Sequence, residues 1–199
     1  MSTDMHRSMC LISHSKSLTE IDFIVQNIEY SLRNDQARLH GVISPYSKNY
    51  RKSIGAIASI CAKLKKVYGL SSLVVDISLT GDQGVLAQID KHKIQRNNRG
   101  VYSNEEQIFN YLLLNSTLEQ QGSNILEDLI FWKMIEESKK SYDILFLLPS
   151  IKNISIIEKL EVNAQVQWMF IEKKNSAKTF KNLESLTHFQ VPFQGIVSV

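Results

Sequence analysis

The sequence predicts an α/β chain in three layers, a doubly wound, mainly parallel sheet with helices on both faces. Three observations lead there. Short, uninterrupted apolar runs, Leu73-Val74-Val75 and Ile144-Leu145-Phe146-Leu147-Leu148, read as strands buried on both sides. Amphipathic segments of crossover length stand between such runs, which is the spacing a parallel sheet requires. The composition agrees: 43% hydrophobic and 22% charged residues, with 8 Gly and 3 Pro in 199, are globular proportions and exclude a fibrous or disordered chain. That length fits a single domain, with residues 1–38 as an N-terminal arm and helix and residues 39–199 as the sheet core.

The first element is helical. Over 20–32 the residues Ile21, Ile24, Val25, Ile28 and Leu32 recur at helical spacing, with Ser17 and Thr19 ahead of them as candidate caps. Residues 39–44 form a short β run closed by Pro45. Over 53–66, Ile54, Ile57, Ala58, Cys61 and Leu64 share one helical face, and Gly69 stands just beyond, where a left-handed residue ends a helix. Residues 70–79 are the next strand. The stretch 81–100 is polar and weakly periodic, with Lys91, His92, Lys93, Arg96 and Arg99 around Asn97-Asn98, and reads as loop or a short helix. Residues 105–118 and 124–140 read as helices, the second with Leu126, Leu129, Ile130 and Met134 as its core face and Glu136, Glu137, Lys139 and Lys140 outside. A buried strand follows at 142–148, then a short helix near 154–160, a strand at 166–171, a helix at 177–186 and a last strand at 193–199.

Charge and cysteine content bound the partners. The net charge of +3 does not call for nucleic acid or a membrane surface. The basic stretch from Lys91 to Arg99 is diluted by Asp90 and its asparagines and reads as a solvated loop. Cys10 and Cys61 have neither metal-ligand spacing nor a disulfide framework, which fits a reducing compartment. Residues 1–16 are polar, and the longest apolar run, 144–149, is far shorter than a membrane span. A cytoplasmic protein is expected, reaching the inner face of a membrane only through a partner. His6, His14, His40, His92 and His188 show no pairing that would hold a metal, and Trp132 and Trp168 read as core or interface anchors.

In a doubly wound sheet, ligands bind beyond the carboxyl ends of the strands, which directs attention to the loops after Ile43, Val75 and Leu147. The first runs Ser44-Pro45-Tyr46-Ser47-Lys48-Asn49-Tyr50-Arg51-Lys52-Ser53 into a helix. Lys-Ser at a helix start after a strand has the place and ending of a phosphate-binding loop, where Lys52 would reach phosphate oxygens and Ser53 would ligate Mg2+. The loop has no glycine, however, and Arg51 stands where the last one belongs. Converging backbone amides need torsions and close approaches that a Cβ obstructs.

Order and spacing along nearly the whole chain resemble the bacterial tyrosine kinases of capsule and exopolysaccharide operons, the BY-kinases, relatives of the deviant-Walker ATPases that position septa and partition plasmids. Residues 11–31 resemble the family's N-terminal helix, and Gly41-Val42-Ile43-Ser44-Pro45 through Lys52-Ser53 resembles its Walker A segment, one residue longer than usual. Leu73-Val74-Val75-Asp76-Ile77-Ser78-Leu79 is similar to its second Walker strand, 125–143 to the helix before the Walker B strand, and 166–186 to the strand and helix that follow. The resemblance implies a P-loop NTPase-like fold and, were the site working, ATP and Mg2+ as cofactors. Lys52, Ser53, Arg51 and, near the signature-lysine position, Lys48 would then meet phosphate, with Ser53 and Asp76 at the metal.

The departures from the family fall where catalysis would be. Asp76 remains, but Ser78 replaces the second carboxylate of its strand, and Leu148 occupies the place of the Walker B Asp. Asp76 is thus either a remnant Mg2+ or water ligand or a strand-end carboxylate capping a loop. Of the family's Glu-Arg-Arg oligomer motif, Glu20 is kept while Phe23 and Gln26 stand at the arginine positions, and no tyrosine follows Tyr142 to serve as phosphoacceptor. The resemblance therefore implies a degenerate, non-catalytic protein-binding module that needs no cofactor. Its partner would be the cytosolic segment of a membrane polysaccharide chain-length or export protein, an active kinase relative or a second copy of itself. The alternatives are a working nucleotide switch or tyrosine kinase with an aberrant loop and, less favoured, a partition-type protein associated with DNA.

Overall fold

The computed structural model of the chain describes residues 20–43, 50–77, 94–97, 101–104, 110–113, 129–149, 166–171 and 193–198. In chain order these form α1 (Glu20–Asp35), β1 (Leu39–Ile43), α2 (Tyr50–Tyr68), β2 (Ser72–Ile77), β3 (Ile94–Arg96), β4 (Tyr102–Asn104), β5 (Asn110–Leu113), α3 (Leu129–Ser138), β6 (Ile144–Pro149), β7 (Val166–Ile171) and β8 (Phe193–Ser198). The strands make one 8-stranded sheet in the order β3-β4-β5-β2-β6-β1-β7-β8. Pairing is parallel from β5 across to β8, and β4 and β3 extend the β5 edge antiparallel.

The side-chain period of two divides the core between the faces. Leu73, Val75 and Ile77 of β2, with Leu145 and Leu147 of β6, pack under α3 through Phe131 and Ile135. Val74, Ile144, Phe146 and Leu148 turn to the other face, where Ile24, Val25 and Ile28 of α1 and Ile57, Ile60, Cys61 and Leu64 of α2 cover them. An Asp22–Lys63 ion pair joins these two helices. The sheet and its covering on both faces are the α/β architecture that the alternating runs predict.

Short connections fix the frame. α1 ends at Gln36 in the left-handed region (φ 52°), with the Ala37 N–H returning to the Ser31 carbonyl at 3.2 Å. Gly69 (φ 71°) ends α2 in the same way, its N–H on the Lys65 carbonyl at 3.0 Å. The starts of β2 and β6 are pinned together by Asp143, whose Oδ2 accepts from the Ser71 N–H at 2.8 Å and the Ser71 hydroxyl at 2.7 Å. From that staple onward the strands run in register, Ser72 beside Ile144 and Asp76 beside Leu148.

Three expectations are corrected. Residues 94–96 are strand rather than loop or helix: Ile94 pairs with Asn104 and Arg96 with Tyr102, and Asn97 closes the hairpin by accepting the Val101 N–H on its side-chain oxygen at 3.0 Å. Residues 110–113, expected within a helix, form β5, because Tyr111 and Leu112 bury themselves on opposite faces of the sheet beside Val74 and Val75. On α3 the core face is Phe131 and Ile135, while Leu129 and Ile130, expected inside, are 84% and 76% exposed. Phe131 with its partner one turn on offers the larger apolar area, so the sheet selects that stripe from a helix whose first turn is apolar all round. α2 also begins at Tyr50, earlier than Ser53. The helices expected near 154–160 and 177–186 lie outside the described residues.

Candidate functional site at the carboxyl end of the sheet

From β1 the chain passes through α2 to β2, on the far side of β6, and from β6 it passes to β7, on the far side of β1. The two connections leave the adjacent strands β1 and β6 in opposite directions. That reversal is the switch point at which doubly wound sheets form their ligand crevice. Among the described residues, the start of α2 and the carboxyl ends of β1, β2 and β6 meet its definition.

Lys48 and the rest of 44–49 lie outside the described residues, as does Ser78. Arg51, Lys52 and Ser53 fall in the first turn of α2. The backbone there is helical, and Gln36 is the sole non-glycine with positive φ among the described residues. Arg51 therefore pays no left-handed strain for standing at a glycine position, since the helix starts early enough to include it. From Tyr50 onward the described part of this segment is a helix start. Its first-turn N–H groups have no partner within the helix, and the turn carries Arg51 and Lys52 with no acidic residue. Cations at the positive end of a helix are locally unfavourable unless an anion is near.

Asp76 sits at the carboxyl end of β2, 0% exposed, on the face covered by α1 and α2. Its Oδ2 accepts a hydrogen bond from the hydroxyl of Tyr111 on β5. The register explains the meeting: Tyr111 lies opposite Val74, so a side chain leaning forward along the strand reaches the next residue on the same face. Burial, reinforced by the neighbouring carboxylate, pushes the Tyr111 phenol well above its ordinary value, so it stays a protonated donor. On the other flank, Leu148 of β6 is the register partner of Asp76 and is itself buried. Mg2+ demands an octahedral set of oxygens and keeps several of its waters. A fully buried carboxylate with one oxygen on a phenol and leucine as its strand neighbour does not fit that ion.

The remaining buried titratable groups belong to the core. The indole N–H of Trp168 donates to Nδ1 of His40 at 3.2 Å, and the other ring nitrogen, Nε2, donates to the Ala37 carbonyl at 3.1 Å. Because an indole can only donate, Nε2 must carry the ring proton. Burial holds His40 down at about 4, against a smaller opposing effect of the Ala37 carbonyl. Burial likewise pushes the Cys61 thiol up to about 12, an unreactive form. Among the described residues no three His, Cys, Asp or Glu gather as a metal-ligand set. On the α3 face, toward the amino ends of the strands, a cleft of about 540 Å³ opens over Leu73, Leu112 and Val101, rimmed by Lys133 and Glu137.

The structure thus brings Asp76 together with Leu148, as the aligned motifs imply, and adds Tyr111, which sequence reasoning missed. No local signal could have found it. Tyr111 stands in an apolar run, 35 residues from the carboxylate it meets, and only the β2–β5 register joins them.

No known family profile matches the chain, and no curated protein matches it by sequence. Among solved structures it is similar to the kinase domain of the Escherichia coli tyrosine kinase ETK, with a TM-score of 0.64 and 9% identity over 89% of this chain and 73% of that one. The VpsO kinase domain gives 0.61 and 13% over 88% and 92%. A ParA family ATPase from Chlorobium tepidum TLS gives 0.53 and 12% over 82% and 73%. At these identities the likeness is one of fold, an α/β fold of P-loop NTPase-like architecture.

Proposed function

We propose that the chain is a catalytically degenerate relative of the BY-kinases that works by contact, as a protein-binding or regulatory module in bacterial capsule or exopolysaccharide biosynthesis or export. The observation that carries this reading is the surroundings of Asp76. Phosphoryl transfer depends on metal ions held by carboxylates and on an aligned nucleophile. Here the carboxylate retained at the right strand end is engaged by a phenol, and Leu148 lies where a second carboxylate would share the metal. The partner in this reading is the cytosolic segment of a membrane polysaccharide chain-length or export protein, or an active kinase relative, met at the inner face of the membrane. The likeness of fold to kinase domains such as those of ETK and VpsO supports the relation to that family.

One observation favours a second reading, a nucleotide-dependent switch: the first turn of α2 contains Arg51 and Lys52 and no acidic residue, a balance that suits a phosphate at that helix end. The experiment that separates the two mixes purified protein, Mg-ATP and the cytosolic segments of a membrane polysaccharide chain-length or export protein, then measures complex formation, phosphotyrosine and released phosphate. Complex formation without turnover is expected. Turnover that disappears in Lys52→Ala would establish the switch instead.

A further inference from the structure

We infer that α3 is a contact between two copies of this chain: the helices meet antiparallel across a twofold axis, with Ile130 of each copy at the other's cleft and Lys133 of each paired with Glu137 of the other. The inference goes beyond the contact reading above and does not rest on it. Among the described residues, the large apolar side chains left exposed are Tyr30, Val67, Leu129 and Ile130. Tyr30 and Val67 stand singly on α1 and α2, as scattered surface residues do. Leu129 and Ile130 are adjacent, and Ile130 lines the cleft of about 540 Å³ whose walls include Leu73, Val101 and Leu112. Helical spacing carries the same edge of α3 on to Lys133 and Glu137, which also line the cleft and are exposed. An apolar hollow beside two exposed apolar side chains is surface that association removes from water.

The charges select the partner. Lys133 and Glu137 are four residues apart, but lysine comes first, the weaker order for a pair along one helix, and among the described residues no ion pair joins them. A twofold axis at the level of Ile135, midway between them, sets Lys133 opposite Glu137 of the second copy and Glu137 opposite its Lys133. The same operation carries Ile130 to the level of residue 140 of the other copy, where Ser138, Ser141 and Tyr142 line the end of the cleft. One register thus meets both charges and gives both apolar anchors a cover, and the sequence of α3 is its own complement in that register. A helix of 10 residues is about 15 Å long, so the shared surface is small and the dimer dissociates on dilution.

Sedimentation equilibrium of the purified protein over a micromolar dilution series tests this. The wild type should pass from dimer to monomer as it is diluted. Lys133→Glu and Glu137→Lys should each weaken association about tenfold, because each change acts twice across the axis and sets like charges face to face. Mixed in equal amounts, the two variants should associate again, each copy now presenting one sign of charge to the other, and Lys133→Glu/Glu137→Lys should recover the wild-type behaviour. Ile130→Asp should leave a monomer. These side chains are exposed, so the fold should survive, with circular dichroism as the check. A wild type that is monomeric throughout would overturn the inference and leave the cleft to a small molecule or another protein. A dimer indifferent to Ile130→Asp, or single reversals that stay apart when mixed, would overturn it as well. None of these results bears on the contact reading, which is decided by complex formation with the membrane protein's segments.

Discussion

Two buried polar pairs lie on the same face of the sheet, His40 with Trp168 and Asp76 with Tyr111, and each joins neighbouring strands. They differ in place and in charge. His40 is near the start of β1, beside the Phe146 ring at 5.8 Å, and both of its nitrogens have assigned partners in the neutral form. Asp76 is at the carboxyl end of β2, where doubly wound folds bind ligands, and its partner is a donor that suits a charged acceptor. A buried histidine far from the crevice is thus a core residue with its hydrogen bonds met, whereas a buried carboxylate at the crevice carries the imprint of a site. Equal burial, read at two ends of one sheet, has two meanings.

The largest effect expected from this contrast is one of pH. His40 binds its proton near 6.5 when unfolded and at about 4 when folded, so between those values the unfolded chain holds more protons and stability rises with pH. The contribution is complete above the unfolded value and is lost as pH falls toward the folded one, about 3 kcal/mol in all. Urea unfolding midpoints at neutral pH and at pH 4.5 should show the loss, and His40→Gln, whose amide offers both a donor and an acceptor, should remove that part of the slope. An unchanged slope would mean that His40 is not the neutral group its partners imply. Next in size, Tyr111→Phe should cost about 2–3 kcal/mol in the same assay, as expected for a hydrogen bond to a charged group. The hydrogen bond from Trp168 to a neutral ring nitrogen should contribute less, about 0.5–1.5 kcal/mol, read as the coupling in a Trp168→Phe/His40→Gln double-mutant cycle that sets aside the volume lost with the buried indole. A coupling larger than the cost of Tyr111→Phe would mean that the pair at the crevice is not the stronger of the two.

The parts of this fold legible in the sequence are those whose pattern is local. Leu73-Val74-Val75 and the run from Ile144 to Leu148 are buried on both faces and could be little else, and the apolar stripes of α1 and α2 fall where their period places them. The edge of the sheet was hidden. Ile94–Arg96 is strand because Tyr102–Asn104 pairs with it, and nothing in a short basic stretch announces such a partner. Tyr111-Leu112-Leu113 is too brief an apolar run for its period to separate strand from helix. α3 exposes Leu129 and Ile130 and buries Phe131 and Ile135, a choice that a first turn apolar on every side leaves to the sheet. In the candidate site, Asp76 and Leu148 could be aligned by motif, but the contact with Tyr111 depends on register and was beyond any local reading.

Calorimetric titration of the wild type with Mg-ATP tests most directly whether phosphate chemistry has left this fold. We expect no tight binding, and no difference between the wild type and Lys52→Ala, because the corner around Asp76 does not suit the metal and the segment from Ser44 to Ser53 has no glycine with which to wrap a phosphate. A dissociation constant in the low micromolar range, lost on either Lys52→Ala or Asp76→Ala, would contradict this and return the segment between β1 and α2 to use as a nucleotide site.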